Sequence, residues 1–176
     1  MGFGKAFVYA LILYIALNFG LSLVVAAVNN VDLAIAFSSA ENILLMLFAP
    51  AAAGPAAPFV WVGNVIVSFT VGILFTILLL VVPSLLAALV AGKTGEEPKA
   101  AFGAWLLVPI ICNVISIVLA LLMPVYETSF VLSVISWSGV TGILAMTDTA
   151  FVVLLVLFGV GTGLMWSGVA ALTAGP

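Results

Sequence analysis

The stretch AFVYALILYIALNFGLSLVVAAV, residues 6–28, contains no charged side chain and is the strongest indication of the fold class. A helix needs about 20 predominantly apolar residues to cross a hydrocarbon layer of roughly 30 Å. Three further uncharged stretches, 59–90, 100–123 and 150–171, satisfy the same condition. Because each is continuously apolar and does not alternate with period two, the pattern predicts membrane-spanning helices and not barrel strands.

The composition agrees with a membrane environment. Hydrophobic residues make up 66% of the 176 residues and charged residues 5%, whereas about a quarter of the residues in a soluble domain are charged. We therefore expect an all-α integral membrane protein, a single domain over residues 1–176. Its four or five transmembrane helices form a helical bundle, accompanied by one or two short outer helices that are interfacial or re-entrant.

Two segments leave the number of spans open. Residues 31–49 carry Asp32 and Glu41 and contain only a short apolar run, so we expect an outer interfacial or re-entrant helix there. Residues 128–146 are uncharged but rich in serine and glycine, which leaves a fifth span and a second re-entrant element as alternatives. If both segments crossed, the count would be six, and two lysines would move to the outer side.

Lysine placement predicts the orientation. Lys5 precedes the first span, and Lys93 and Lys99 flank the short connection between the second and third spans. Cytoplasmic loops carry an excess of basic residues. We therefore expect a multi-pass protein of the cell membrane whose N-terminus and turn at residues 92–99 are cytoplasmic.

The sequence of this turn, GKTGEEPK, suggests a tight hairpin between two spans. Gly92 is expected to end the second span, because glycine adopts the left-handed conformation that closes a helix most easily. Pro98 is expected in the first turn of the third span, where its missing N–H is not needed.

Polar and irregular residues within the spans are the first candidates for function. Asn18 and Asn113 lie near the middle of their spans, where hydrocarbon offers an amide no partner, so we expect both to face protein. They form either an interhelical clasp or a polar gate in a permeation path. Pro83 and Pro109 each remove one backbone donor and are expected to kink their helices.

Small residues recur every four positions in the last span. This stripe allows another helix to approach closely, and it consists of Gly159, Gly163, Ser167 and Ala171. The neighbouring helix belongs either to the same bundle or to another subunit.

The residue types that are missing exclude many activities. The chain has no histidine, which removes histidine-ligated haem, the common zinc sites and serine–histidine pairs. Its three basic residues are all lysines outside the predicted spans, and no predicted span contains an acid to relay protons. We therefore expect no catalytic residues, no metal, no cofactor and no nucleic-acid partner, and we do not expect an enzyme.

Two functions remain. The first is a non-catalytic integral membrane subunit, embedded in the lipid bilayer, that packs through small-residue helix faces against other membrane subunits or in a homo-oligomer. The apolar loop at residues 49–58 favours this function, because it suits a covered surface better than exposure to water. The alternative is a small channel or transporter with re-entrant outer segments, although the carbonyl-filter sequence TVGYG is missing.

Overall fold

All regular structure described for this chain is helical. The computed structural model describes residues 2–28, 30, 32–38, 40–48, 71–122, 161 and 163–174. Its helices are α1 (Gly2–Val28), α2 (Leu33–Ala36), α3 (Ala40–Phe48), α4 (Val71–Thr94), α5 (Pro98–Leu122) and α6 (Gly163–Thr173). The described part of the chain is therefore all-α.

Long apolar helices occupy three of the four stretches predicted to span. The first begins at Gly2, slightly before the expected start. α5 occupies nearly the predicted third span, and α4 covers the second span from Val71 onward. Two helical stretches in the described residues, Gly2–Val28 and Ile77–Thr94, are long and apolar enough to cross a membrane.

The other predicted segments are described in part. Residues 31–49 contain two short helices, α2 and α3, separated by a break near Ser38. The C-terminal stretch contributes α6. The segment 128–146, on which the choice between four and five spans depends, lies outside the described residues.

The turn between α4 and α5 differs from the expectation. α4 continues through Gly92 to Thr94, and the residue in the left-handed region is Glu96, with φ 61°. The expectation that Gly92 ends the helix is therefore wrong. Pro98 does begin α5, and the first helical hydrogen bond runs from the Ala101 N–H to the Glu97 carbonyl at 2.9 Å.

The reason for glycine at position 92 is a close helix contact. A Cβ atom placed there would collide with the Thr173 side chain and lie 2.7 Å from the Ala170 carbonyl oxygen. Both of these residues are at the C-terminal end of α6. Gly92 thus allows α6 to approach the last turns of α4.

Three contacts place the helix ends relative to one another. A Cβ atom on Gly2, at the start of α1, would collide with the Gly95 carbonyl in the α4–α5 turn. The Phe3 ring lies against Gly103 in α5, and the end of α6 lies at Gly92. The start of α1, the end of α4, the start of α5 and the end of α6 therefore share one end of the structure.

We call this the lysine end, because Lys5, Lys93 and Lys99 all lie there and all are exposed. α1 and α5 run away from it, and α4 and α6 run toward it. The direction of the helices thus brings Lys5 to the same end as Lys93 and Lys99, which are distant from it in the sequence.

The packing between the helices has small residues inside and large residues outside. Among the described residues, most of the buried apolar side chains are alanines, which we call the alanine core: Ala6, Ala10, Ala26, Ala87, Ala88, Ala91, Ala101, Ala104, Ala170 and Ala174. Large side chains instead lie on the outside, including Ile12 at 60% exposure and Leu172 at 87%. A water-soluble protein buries its large aliphatic side chains preferentially, so this arrangement is the reverse of the usual one.

Two aromatic rings complete the interior. Tyr14 of α1 and Trp105 of α5 are almost fully buried and meet edge to face, with ring centroids 5.9 Å apart and planes at 64°. This is a favourable geometry for two aromatic rings. It fixes α1 against α5 in the middle of the alanine core.

Replacing Gly92 with alanine should test the close contact between α4 and α6. We expect Gly92→Ala to lower the free energy of unfolding by about 1 to 3 kcal/mol, because the Ala170 carbonyl belongs to the backbone and cannot rotate away. The measurement is thermal unfolding of the detergent-solubilised chain.

The matched control is Gly168→Ala. Gly168 is also inside a helix, but a Cβ atom there would meet nothing within 4 Å. This variant should be neutral or more stable by roughly 0.5 to 1 kcal/mol. Equal effects of the two substitutions would contradict the contact.

Candidate functional site

The buried face of α1 carries the polar residues of interest. Along this helix small or polar residues are buried at every fourth position: Gly2, Ala6, Ala10, Tyr14, Asn18, Ser22 and Ala26. With 3.6 residues per turn, a spacing of four rotates by about 40° at each step. The buried face therefore winds around α1 and meets the lysine-end turn, then α4 and α5, then α3.

We did not predict this stripe from the sequence, although its signal is present there. Gly2, Ala6 and Ala10 show the same four-residue spacing of small side chains that indicated packing in the last span. The larger Tyr14 and Asn18 interrupt the small-residue pattern further along. In the structure these two side chains are buried because their polar or aromatic groups meet partners on other helices.

Asn18 is completely buried and binds the end of α3. Its Nδ2 group donates hydrogen bonds to the carbonyl oxygens of Met46, at 3.0 Å, and Leu47, at 2.8 Å. The hydroxyl of Ser22, one turn further along α1, donates to the Met46 carbonyl at 3.5 Å. We call Asn18, Ser22 and these two carbonyls the polar contact.

The polar contact satisfies backbone groups that a helix cannot satisfy by itself. The last four carbonyls of an α-helix have no partner within the helix, and Met46 and Leu47 lie in the last turn of α3. Asn18 therefore caps α3 from another helix. A mid-helix amide of α1 and the C-terminus of α3 are held together.

The position of this contact along α1 shows how far α3 enters the structure. At 1.5 Å per residue, Asn18 lies about 24 Å from Gly2 and about 15 Å from Val28. α3 has 9 residues, and Met46 is 1% exposed. The C-terminal end of this short helix therefore lies in the interior, well away from both ends of α1.

Three buried polar atoms have no hydrogen-bond partner within the part of the chain that the structure describes: Asn18 Oδ1, Trp105 Nε1 and Ser167 Oγ. An unpaired buried polar group destabilises a protein by about 1 to 3 kcal/mol. The Asn18 oxygen is the most notable, because the nitrogen of the same amide makes two hydrogen bonds.

The small-residue stripe of the last span contacts the same chain. A Cβ atom on Gly163 would lie 3.2 Å from both Leu106 and Pro109 of α5. Ser167 is fully buried, and Gly159 lies outside the described residues.

After Ser167, the buried residues of this stripe no longer follow the predicted four-residue spacing. Ala171 is half-buried, whereas its neighbour Ala170 is fully buried and Ala174 is 8% exposed. A step of three after Ser167 keeps the stripe on one side of a helix with 3.6 residues per turn.

The remaining candidates lie within α4 and α5. Pro83 is buried inside α4, and Pro109 is buried inside α5, where its ring faces Gly163. Asn113 belongs to α5, but its side chain lies outside the described part. Of the two predicted polar residues, the structure therefore describes the surroundings of Asn18.

Neither a known kind of binding site nor a similar protein indicates the function of this chain. In the described residues, no group of three or more His, Cys, Asp or Glu side chains could hold a metal ion. No protein-family model matches the chain, and comparisons with curated proteins and with solved structures gave no match. The polar contact is thus the candidate site with the most structural detail.

Removing the Asn18 amide should destabilise the protein. Asn18→Leu leaves the Leu47 carbonyl without its donor, so we expect a loss of about 1 to 3 kcal/mol in the free energy of unfolding. Thermal unfolding in detergent measures this loss.

The matched control is Val8→Leu, which introduces the same side chain at a position of α1 that is 46% exposed and outside the polar contact. This variant should unfold at the wild-type temperature. An unchanged unfolding temperature for Asn18→Leu would show that the polar contact does not stabilise the fold.

Proposed function

We propose that the chain is a multi-pass protein of the cell membrane in which α1, α4, α5 and the C-terminal stretch cross the lipid bilayer as a helical bundle. The observation that supports this is the alanine core surrounded by large exposed aliphatic side chains. Lipid-embedded helices associate through small residues, and large aliphatic side chains are stable against hydrocarbon. Exposure of the same surface to water would be unfavourable.

The lysine end supports a cytoplasmic N-terminus. Lys5, Lys93 and Lys99 share one end of the structure, and basic residues concentrate on the cytoplasmic side of membrane proteins. With this orientation, the turn at residues 92–99 is also cytoplasmic, and α2 and α3 lie toward the outer side.

Within the membrane, we propose a non-catalytic role as a subunit of a larger membrane assembly or of a homo-oligomer. The near absence of ionisable groups in the spans supports this role, as does the extent of the exposed apolar surface. The stripe at Gly163 and Ser167 is buried within the chain itself. The outward face of α1 is therefore a better candidate for subunit contact, since Ala16 and Gly20 are exposed there with four-residue spacing.

A channel or transporter is the second candidate, and the position of α3 favours it. A short helix that ends in the interior against a mid-helix asparagine resembles the discontinuous helices that form substrate and ion sites in transporters. In this function α3 is a re-entrant helix that enters from the outer side. Asn18 then lies beside the permeation path and does not act as a clasp alone.

Cysteine labelling tests the proposed insertion and orientation. In a Cys112→Ser background, Lys5→Cys, Lys93→Cys and Lys99→Cys should react with a membrane-impermeant maleimide from the cytoplasmic side alone. Asp32→Cys, beyond the opposite end of α1, should react from the outer side. Labelling of positions 5 and 93 from opposite faces would exclude this topology.

The mass of the complex after mild detergent extraction distinguishes the two functions. For a subunit we expect native mass spectrometry to show a stoichiometric hetero-complex or a homo-oligomer, and Gly20→Leu should release the chain while leaving it inserted. A monomer that supports solute flux in liposomes by itself would favour the transporter and contradict the subunit role.

A further inference from the structure

In the polar contact, carbonyl, hydroxyl and amide oxygen atoms lie close together in the interior. The Met46 and Leu47 carbonyls lie within 3.0 Å of Asn18 Nδ2, and the Ser22 hydroxyl lies beside the Met46 carbonyl. A planar amide separates its oxygen and nitrogen by little more than 2 Å, so Asn18 Oδ1 is within about 5 Å of the Leu47 carbonyl oxygen. This amide oxygen is buried and has no partner in the described residues.

The direction of α3 gives this part of the interior a negative electrostatic potential. The C-terminus of an α-helix carries about half a negative elementary charge, and α3 directs its C-terminus at Asn18. The last turn of α3 contains no basic residue, and all three lysines of the chain lie at the lysine end. No cationic side chain is therefore available to complement the end of α3.

We propose that the C-terminal end of α3, Asn18 and Ser22 form a binding site for a monovalent metal cation, with Asn18 Oδ1 and backbone carbonyls as ligands. Unwound backbone and half-helix C-termini bind sodium in this way in membrane transporters. The inference rests on the proposed membrane insertion, because surrounding lipid excludes the water that would otherwise solvate these oxygens.

The ligand types determine the charge of the ion. Carbonyl, amide and hydroxyl oxygens are uncharged, whereas protein sites for divalent calcium or magnesium generally include carboxylates. Glu41 lies in the first turn of α3, at the opposite end of that helix. An anion is disfavoured by the negative end of the helix dipole. A single positive charge matches the site best.

The test measures the thermal stability of the full chain in detergent with sodium, potassium or lithium chloride, against N-methyl-D-glucamine chloride at equal ionic strength. We expect at least one of the metal ions to raise the unfolding temperature, by about 5 °C or more at roughly 100 times its dissociation constant, because a ligand that binds the native state stabilises it in proportion to the logarithm of its concentration. The same unfolding temperature in all four salts would overturn the proposal.

Two variants locate the effect. Ser22→Ala should raise the metal concentration needed for a given shift several-fold, and Asn18→Leu should abolish the shift. Ser84→Ala removes a buried serine of α4 outside the polar contact and should respond like the wild type. A metal-ion shift that persists unchanged in both Ser22→Ala and Asn18→Leu would overturn the location of the site.

Direct binding of radioactive sodium or rubidium to the purified chain provides a measurement that does not depend on stability. If Asn18→Leu fails to fold, Ser22→Ala in this assay still decides the question, since unchanged affinity in this variant would contradict the site. Extraction with alkaline carbonate separates the two proposals. Release of the chain from membranes would refute insertion, whereas a chain that stays in the membrane but binds none of these ions would refute the cation site alone.

Discussion

The close approach of helices at small residues determines how the other parts of the molecule are arranged. At Gly92 and Gly2 there is no room for a Cβ atom, and these two contacts bring α6 and α1 to the turn between α4 and α5. Alanines line the interior between the helices. Large aliphatic side chains are thereby left for the outer surface, which is the arrangement expected of helices that are surrounded by lipid.

Close packing also determines where a polar group can be accommodated. An interior of alanine and glycine offers few partners, so a buried asparagine must find backbone groups that a helix has left unpaired. These groups are at the end of α3, where the Met46 and Leu47 carbonyls accept hydrogen bonds from Asn18 Nδ2. The same contact leaves the amide oxygen unpaired and brings it near the negative end of a helix dipole. The proposed transporter role and the proposed cation site thus depend on one side chain.

The boundaries and packing surfaces show what the sequence could predict. The start of α5 at Pro98 followed from the chemistry of proline, and the small-residue stripe of the last span was readable from its spacing. The end of α4 could not be predicted, because Gly92 serves a contact with α6 and not a turn. The change from Ala171 to Ala170 in the buried stripe depends on the rotation of α6 against its neighbours, which the spacing alone does not specify.

Hydropathy and length are local properties, so the amino-acid sequence was enough to predict that the described chain is helical and that long stretches of it are apolar enough to cross a membrane. It also predicted that the lysines lie on one side. The face of each helix that is buried, and the contact of Asn18 with the end of α3, became known from the packing of the helices. These contacts join residues far apart in the chain, and a helix that is apolar on all sides carries no local signal for the direction in which it packs.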